Sequence, residues 1–169
     1  MGDFLIDCKA ELPDVKDMQQ DACADFMLIS NSPDETFALG QRIAALLSDA
    51  KFSGSIIALK GELGSGKTYL TKGIAFGLGI NENITSPTYT IISEYQGSRT
   101  LYHIDAYRLN NDKDFEDIGG PEIINGQGIS VIEWSERIPK SLPDNAITIF
   151  LEITGTSSRL IRINGLENL

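Results

Sequence analysis

The chain has 169 residues with a formal net charge of −10, and hydrophobic residues make up 41% of it. This length predicts one domain with a substantial core, and no apolar run approaches the roughly 18–20 residues of a membrane-spanning helix. Residues 1–35 hold nine acids and two bases, which leaves a net charge of only −3 for the rest. Because no basic stripe is present, strong direct binding of nucleic acid is not expected.

The start of the chain is predicted to be an acidic extension. Residues 1–28 mix acids with scattered apolar residues, so we expect a mobile segment with a short helix near Val15–Ala24. This segment lacks the basic region and long apolar stretch of a secretory signal. Cys8 and Cys23 lack metal-site spacing and are interpreted as free thiols of a cytoplasmic protein. Residues 29–169 are predicted to form a single domain.

A strand over Phe26–Ile29 and a helix that ends near Leu47 are predicted next. Ser32, Pro33 and Glu35 match a capping box with proline at the first helical position. The helix would bury an apolar stripe, formed by Phe37, Leu39, Ile43, Leu46 and Leu47.

Residues 61–68 match the phosphate-binding P-loop pattern, G-x-x-x-x-G-K-[ST]. The apolar run Ile56–Leu59 predicts a buried parallel strand before the loop, and Leu70, Ile74 and Leu78 predict a helix after it. A strand, glycine loop and helix in this order direct backbone N–H groups and the helix N-terminus toward phosphate. The loop therefore predicts binding of a nucleoside triphosphate by Gly61, Glu62, Leu63, Gly64, Ser65, Gly66, Lys67, Thr68 and Tyr69.

Two side chains of this loop have expected roles in the chemistry. Lys67 would reach the β- and γ-phosphates, and the hydroxyl of Thr68 would ligate Mg²⁺. A dinucleotide-binding Rossmann loop is excluded because no third glycine stands at the required place after Gly66.

The rest of the chain predicts further strands and one short helix. A loop covers Asn81–Thr88, and Leu109–Gly120 is polar and predicted to be irregular. The other predicted elements are strands at Tyr89–Tyr95, Arg99–Asp105 and Ile129–Glu133, a helix at Pro121–Asn125, and a hairpin of Ala146–Ile153 with Arg159–Ile163.

Asp105 and Glu133 are the candidate acids of the site. Glu133 ends an apolar run and Asp105 ends the predicted strand before it in the chain, and a P-loop needs a second carboxylate to hold Mg²⁺ and another group to orient the attacking water. The residues do not decide which acid has which role. In nucleotide switches a loop threonine senses the γ-phosphate, and Thr85 and Thr88 are the candidates for that role.

Four other residues could take part, but each has a simpler structural interpretation. His103 is the single histidine and is better explained as structural than catalytic. Trp134 is interpreted as a packing residue. Arg108 and Arg137 could supply transition-state charge, although a solvated, salt-bridging arginine is the simpler interpretation for both.

Four motifs together resemble the TsaE (YjeE) family. They are Gly61–Thr68, Ser86–Tyr89, His103–Leu109 and Val131–Glu136, and the resemblance covers about residues 29–163. The P-loop is shared with many families, whereas the H-x-D-x-Y-R-L and I-E-W segments together are specific to this one.

The resemblance implies an α/β fold of the P-loop NTPase type, with three layers and a mixed, largely parallel central sheet flanked by helices. It implies MgATP as ligand, slow hydrolysis, and action on the TsaD–TsaB complex that makes tRNA threonylcarbamoyladenosine, so that tRNA is met only through the complex. Under this resemblance Lys67 and Thr68 hold phosphate and Mg²⁺. Asp105 and Glu133 form the acidic pair at metal and water, and Thr88 belongs to the switch-like loop.

Three other functions could use the same loop. A small-molecule kinase usually carries an arginine-bearing lid over the phosphates, but the six arginines of this chain are scattered. A GTPase would show an N-K-x-D motif, which residues 110–114 do not match. The third alternative is a nucleotide-gated binding module in which turnover is incidental.

Overall fold

The structure is a computed structural model that describes residues 5–7, 26–48 and 54–166. The helix expected near Val15–Ala24 lies outside these ranges, and so do Cys8 and Cys23. That helix and the interpretation of the cysteines as free thiols remain predictions. Of the acidic extension, Leu5–Asp7 forms a short strand parallel to the strand at Phe26–Ser30. None of the helices in the described part of the chain combines the length and apolar character needed to cross a membrane.

One mixed β-sheet forms the centre of the described residues. The strands are β1 (Leu5–Asp7), β2 (Phe26–Ser30), β3 (Gly54–Lys60), β4 (Ile92–Tyr95), β5 (Leu101–Asp105), β6 (Gly128–Glu133), β7 (Ile147–Ile153) and β8 (Arg159–Asn164). Their spatial order is β1-β2-β8-β7-β3-β6-β5-β4, and the four neighbouring strands β7, β3, β6 and β5 are parallel. The antiparallel pairs are β2 with β8, β7 with β8, and β4 with β5.

Helices cover the sheet on both faces, which confirms the expected α/β fold. One core cluster joins the first two helices to one face of the sheet, and a second cluster lies under the two later helices. Strand alternation separates the clusters, since Val131 belongs to the first and Ile132 to the second. The helices are α1 (Pro33–Leu47), α2 (Lys67–Gly77), α3 (Asp112–Asp117) and α4 (Gly120–Ile124).

Helix α1 begins as predicted at Ser32. The Glu35 backbone N–H donates to Ser32 Oγ at 3.2 Å, which satisfies one of the free donors of the first turn. The Glu35 carboxylate accepts from the Asn31 N–H at 2.7 Å, one residue earlier than a capping box requires. The two hydrogen bonds of this cap therefore agree with the predicted capping box, one of them displaced by one residue.

Glycines allow α1 and α2 to approach very closely. A Cβ placed on Gly73 of α2 would overlap the Phe37 carbonyl oxygen and lie 3.1 Å from the Gly40 Cα. A Cβ on Gly40 would in turn lie 2.8 Å from the Ile74 backbone nitrogen. The last residues of the P-loop belong to α2, which begins at Lys67. The close contact of α2 with α1 therefore fixes the position of that end of the loop.

We expect Gly73→Ala to lower the free energy of unfolding by about 1–3 kcal/mol, because the added methyl meets backbone that cannot move independently. Urea unfolding would show a lower midpoint with an unchanged slope. Lys72→Ala on the same helix is the control, and it should change stability little because alanine favours helix. A Gly73→Ala variant as stable as the wild type would show that the helices separate at little cost.

Two segments differ from the sequence prediction. The strand expected at Tyr89–Tyr95 begins only at Ile92, because Ile91 has a left-handed φ of 68° and its N–H donates to the Pro87 carbonyl at 2.6 Å. The segment Leu109–Gly120, expected to be irregular, contains α3. That helix is stabilised by tertiary contacts, as Phe115 is fully buried.

Candidate functional site

The P-loop connects β3 to α2 in the order that the sequence predicts. Gly61, Gly64 and Gly66 have φ values of 146°, 79° and 105°, a region that other residues rarely adopt. Gly66 is the N-cap of α2, so the backbone turns directly from the loop into the helix. The loop therefore has the backbone needed to present N–H groups to an anion.

Lys67 is buried within this loop. Its Nζ donates to the carbonyl oxygens of Gly61 at 2.6 Å and Glu62 at 3.0 Å, and lies 3.9 Å from the centre of the Trp134 ring. Burial lowers the pKa of Lys67, and nearby carboxylates, of which Glu133 has the largest effect, oppose that shift. The loop thus holds a desolvated ammonium group beside an acid.

Glu133 and Asp105 end adjacent parallel strands, where they are paired in register. Glu133 continues the face of β6 that packs toward α2, and its Oε2 accepts from the Thr68 hydroxyl at 3.1 Å. Its Oε1 lies 2.8 Å from Nε2 of the fully buried His103. The histidine therefore contacts the acid and is not part of the cavity lining.

Asp105 contacts the loop that follows α2. Its Oδ2 accepts from the hydroxyls of Ser86 and, at 2.8 Å, Thr88, while its Oδ1 accepts from the Tyr107 N–H at 3.0 Å. Thr85, the other candidate for a sensing role, is exposed and lies outside the cavity lining. Of the two threonines, the structure therefore brings Thr88 to the acids.

A cavity of about 480 Å³ joins the P-loop to both acids. Predicted site residues that line it are Leu63, Gly64, Gly66, Lys67, Thr68, Tyr69, Thr88, Asp105 and Glu133. The predicted residues Gly61, Glu62 and Ser65 belong to the loop but do not line the cavity. Residues that the sequence did not predict as lining are Ser86, Tyr107 and Trp134.

Trp134 forms one wall of the cavity as well as packing against the core. It follows β6 with a left-handed φ of 59°, and its ring centre lies 5.0 Å from that of Tyr107. Such a conformation costs about 1–3 kcal/mol, so the surrounding contacts must maintain it. Neither Arg108 nor Arg137 lines the cavity, and each instead lies near a tyrosine ring, Tyr89 and Tyr107 respectively.

Comparison with known proteins identifies the family. The family model described as "Threonylcarbamoyl adenosine biosynthesis protein TsaE" matches residues 30–161. The chain belongs to the TsaE family. Its role is accordingly in tRNA threonylcarbamoyladenosine biosynthesis, on a fold of the P-loop NTPase type.

Individual TsaE relatives match most of the chain. The TsaE protein of Treponema pallidum is 44% identical over 135 residues, which is 80% of this chain and 97% of the relative. The TsaE protein of Bacillus subtilis is 39% identical over 138 residues, or 81% and 84% of the two chains. The crystal structure of Bacillus subtilis YdiB superposes with a TM-score of 0.69 at 32% identity, covering 85% of this chain and 87% of YdiB.

The oxygen atoms at this TsaE site suit Mg²⁺. The Thr68 hydroxyl and the Glu133 carboxylate meet at the cavity, and oxygen donors are the ligands that Mg²⁺ prefers. No group of three or more histidine, cysteine or acidic side chains placed to hold a metal occurs in the described part of the chain. The donors fit a cation that takes its other ligands from phosphate and water, as Mg²⁺ usually does.

The three cavity residues that were not predicted as site residues, Ser86, Tyr107 and Trp134, lie within the motifs Ser86–Tyr89, His103–Leu109 and Val131–Glu136 that carry the family resemblance. Ser86 lies two residues before Thr88, so both hydroxyls can reach one carboxylate once the turn at Pro87 forms. Tyr107 reaches Asp105 through its backbone N–H, which no side-chain pattern reveals.

Proposed function

We propose that this TsaE protein is a Mg²⁺-dependent ATPase that supports tRNA threonylcarbamoyladenosine formation by acting on the TsaD–TsaB complex. The observation that carries the proposal is the 3.1 Å contact between Glu133 Oε2 and Thr68 Oγ1 at the start of α2. A P-loop hydroxyl beside a strand-end carboxylate is the pair that holds Mg²⁺ in P-loop NTPases. A bound Mg²⁺ would neutralise charge on the phosphoryl oxygens.

The two acids have different contacts, which supports different roles. Glu133 touches Thr68 and belongs with the metal-holding group. Asp105 binds the hydroxyls of Ser86 and Thr88, so it holds the switch-like loop at the cavity, where Thr88 can respond to the γ-phosphate. Because Asp105 contacts that loop, it is also the acid that we assign to orienting the attacking water.

Lys67 provides the positive charge for the phosphates. Its Nζ donates to two loop carbonyls, and phosphate oxygens would be stronger acceptors for the same ammonium group. Burial strengthens that interaction, because the effective dielectric constant around the ammonium group is lower than in water.

A kinase is less well supported than an ATPase. Among the described residues, no arginine lines the cavity, so none is placed there as a lid over a transferred phosphoryl group. A nucleotide-gated binding module uses the same residues, and only turnover distinguishes it from an ATPase.

The deciding experiment is ATP hydrolysis by the purified protein, alone and with TsaD and TsaB from the same organism. We expect slow turnover alone, a marked rise with the pair, and loss of turnover when EDTA removes Mg²⁺. If the protein binds ATP but the pair does not change its turnover, the role of a partner-activated ATPase is wrong. A kinase or a nucleotide-gated binding module would then be the better explanation.

A further inference from the structure

Arg159 connects the far end of the chain to the P-loop. It begins β8, where it is paired in register with Ile153 of β7. Its Nε donates to the Ser65 carbonyl and its Nη2 to the Gly64 carbonyl, both at 3.0 Å. A guanidinium group that binds two successive carbonyls holds both peptide units in one orientation, because its donors form a rigid planar fork.

The same guanidinium also binds the β7–β8 turn. Its Nη1 donates to the carbonyl oxygens of Gly155 at 3.2 Å and Ser158 at 2.9 Å. Thr154 and Ser158 close this turn with a backbone hydrogen bond of 3.1 Å. Arg159 is therefore anchored on a closed hairpin and can resist displacement of the loop.

The orientation of these carbonyls determines where the next N–H groups point. In a trans peptide the C=O and the following N–H point in opposite directions. Holding the Ser65 carbonyl against Arg159 therefore directs the Gly66 N–H away from it, and Gly66 lines the cavity. The Ser65 N–H is already used within the loop, since it donates to the Glu62 carbonyl at 3.2 Å.

We propose that Arg159 is a positioning residue that holds the P-loop in its phosphate-binding conformation. The proposal rests on the proposed nucleotide-binding function of the same site. Arg159 touches the loop only through backbone carbonyls and is not part of the cavity lining. Its effect on phosphate is therefore indirect, through preorganisation of backbone donors.

The test compares Arg159→Gln and Arg159→Lys with Arg162→Gln. Arg162 lies on the same strand and pairs with Glu152 at 3.1 Å on the exposed surface, so its loss removes equal charge without touching the loop. Calorimetry with MgADP should give an affinity about 10-fold weaker for Arg159→Gln, an intermediate value for Arg159→Lys, and a wild-type value for Arg162→Gln. Lysine keeps the charge but lacks the fork that binds both carbonyls.

Hydrogen exchange separates positioning from a general loss of stability. Amides of residues 61–67 should exchange faster in Arg159→Gln while the core strands keep wild-type protection. Wild-type affinity and loop protection in Arg159→Gln would overturn the proposal. If that variant fails to fold, wild-type affinity in a folded Arg159→Lys would overturn it equally.

The outcomes also distinguish this proposal from the one on which it rests. A wild-type protein that binds no MgADP would overturn both proposals. A wild-type protein that binds MgADP, together with Arg159 variants that bind it equally well, would overturn only the role of Arg159.

Discussion

Lys67→Ala should weaken ATP binding by about 100-fold or abolish it, a loss of about 3 kcal/mol or more. The ammonium group is the one cation among the side chains that line the cavity in the described part of the chain. Its removal leaves the phosphates with backbone N–H groups and Mg²⁺ as partners, and charge-assisted hydrogen bonds are the strongest ones lost. Isothermal titration calorimetry with ATP and Mg²⁺ measures the effect directly.

Lys72→Ala is the matched control for this measurement. Lys72 lies on α2 one turn beyond the P-loop and is placed 5.3 Å from the Tyr69 ring rather than in the cavity. Its loss removes the same charge and should leave affinity near the wild-type value. Unchanged ATP affinity in a folded Lys67→Ala protein would refute the assignment of this loop as the phosphate site.

The P-loop could be predicted because its signals are local. Glycines at the required places and the apolar run Ile56–Leu59 determine a strand, loop and helix within one short stretch of chain. The start of α1 was predictable for the same reason, since Ser32, Pro33 and Glu35 form its N-terminal cap and first turn.

The relative position of the two acids could not be predicted without knowing the order of the strands in the sheet. Sequence places Asp105 and Glu133 at strand ends, but only the parallel pairing of β5 with β6 puts them side by side. The different contacts of the acids then follow from neighbours far along the chain, Thr68 for Glu133 and Thr88 for Asp105. Contacts between residues so far apart along the chain cannot be predicted from local sequence patterns.

Helix α3 and the contacts of Arg159 were even less predictable from local sequence. The acidic stretch Asp112–Asp117 has little apolar periodicity, and it is helical because Asn111 caps it and Phe115 is buried beneath Gly120. Arg159 binds Ser65, which lies 94 residues earlier in the chain. The sequence of β8 predicts only a hairpin strand and gives no sign of this contact. Long-range contacts decide both features.

Glu133→Gln and Asp105→Asn should each lower ATP turnover by about 100-fold while nucleotide affinity changes far less. Both substitutions keep the size of the side chain, but they remove the negative charge that the proposed roles at metal and water require. For Glu133→Gln we also expect half-maximal turnover to need more Mg²⁺, because the carboxylate beside Thr68 is lost. Steady-state hydrolysis over a Mg²⁺ series, with binding measured separately, provides both values.

Glu152→Gln is the control for the charge change, because Glu152 lies on the exposed surface of β7 and should leave turnover and Mg²⁺ dependence unchanged. Asp105→Asn should lower turnover without shifting the Mg²⁺ dependence, since its carboxylate binds Ser86 and Thr88 rather than Thr68. A shift in Mg²⁺ dependence for Asp105→Asn alone would exchange the roles of the two acids. Near wild-type turnover in both variants would mean that neither carboxylate acts on metal or water, and the catalytic acids would have to be sought elsewhere.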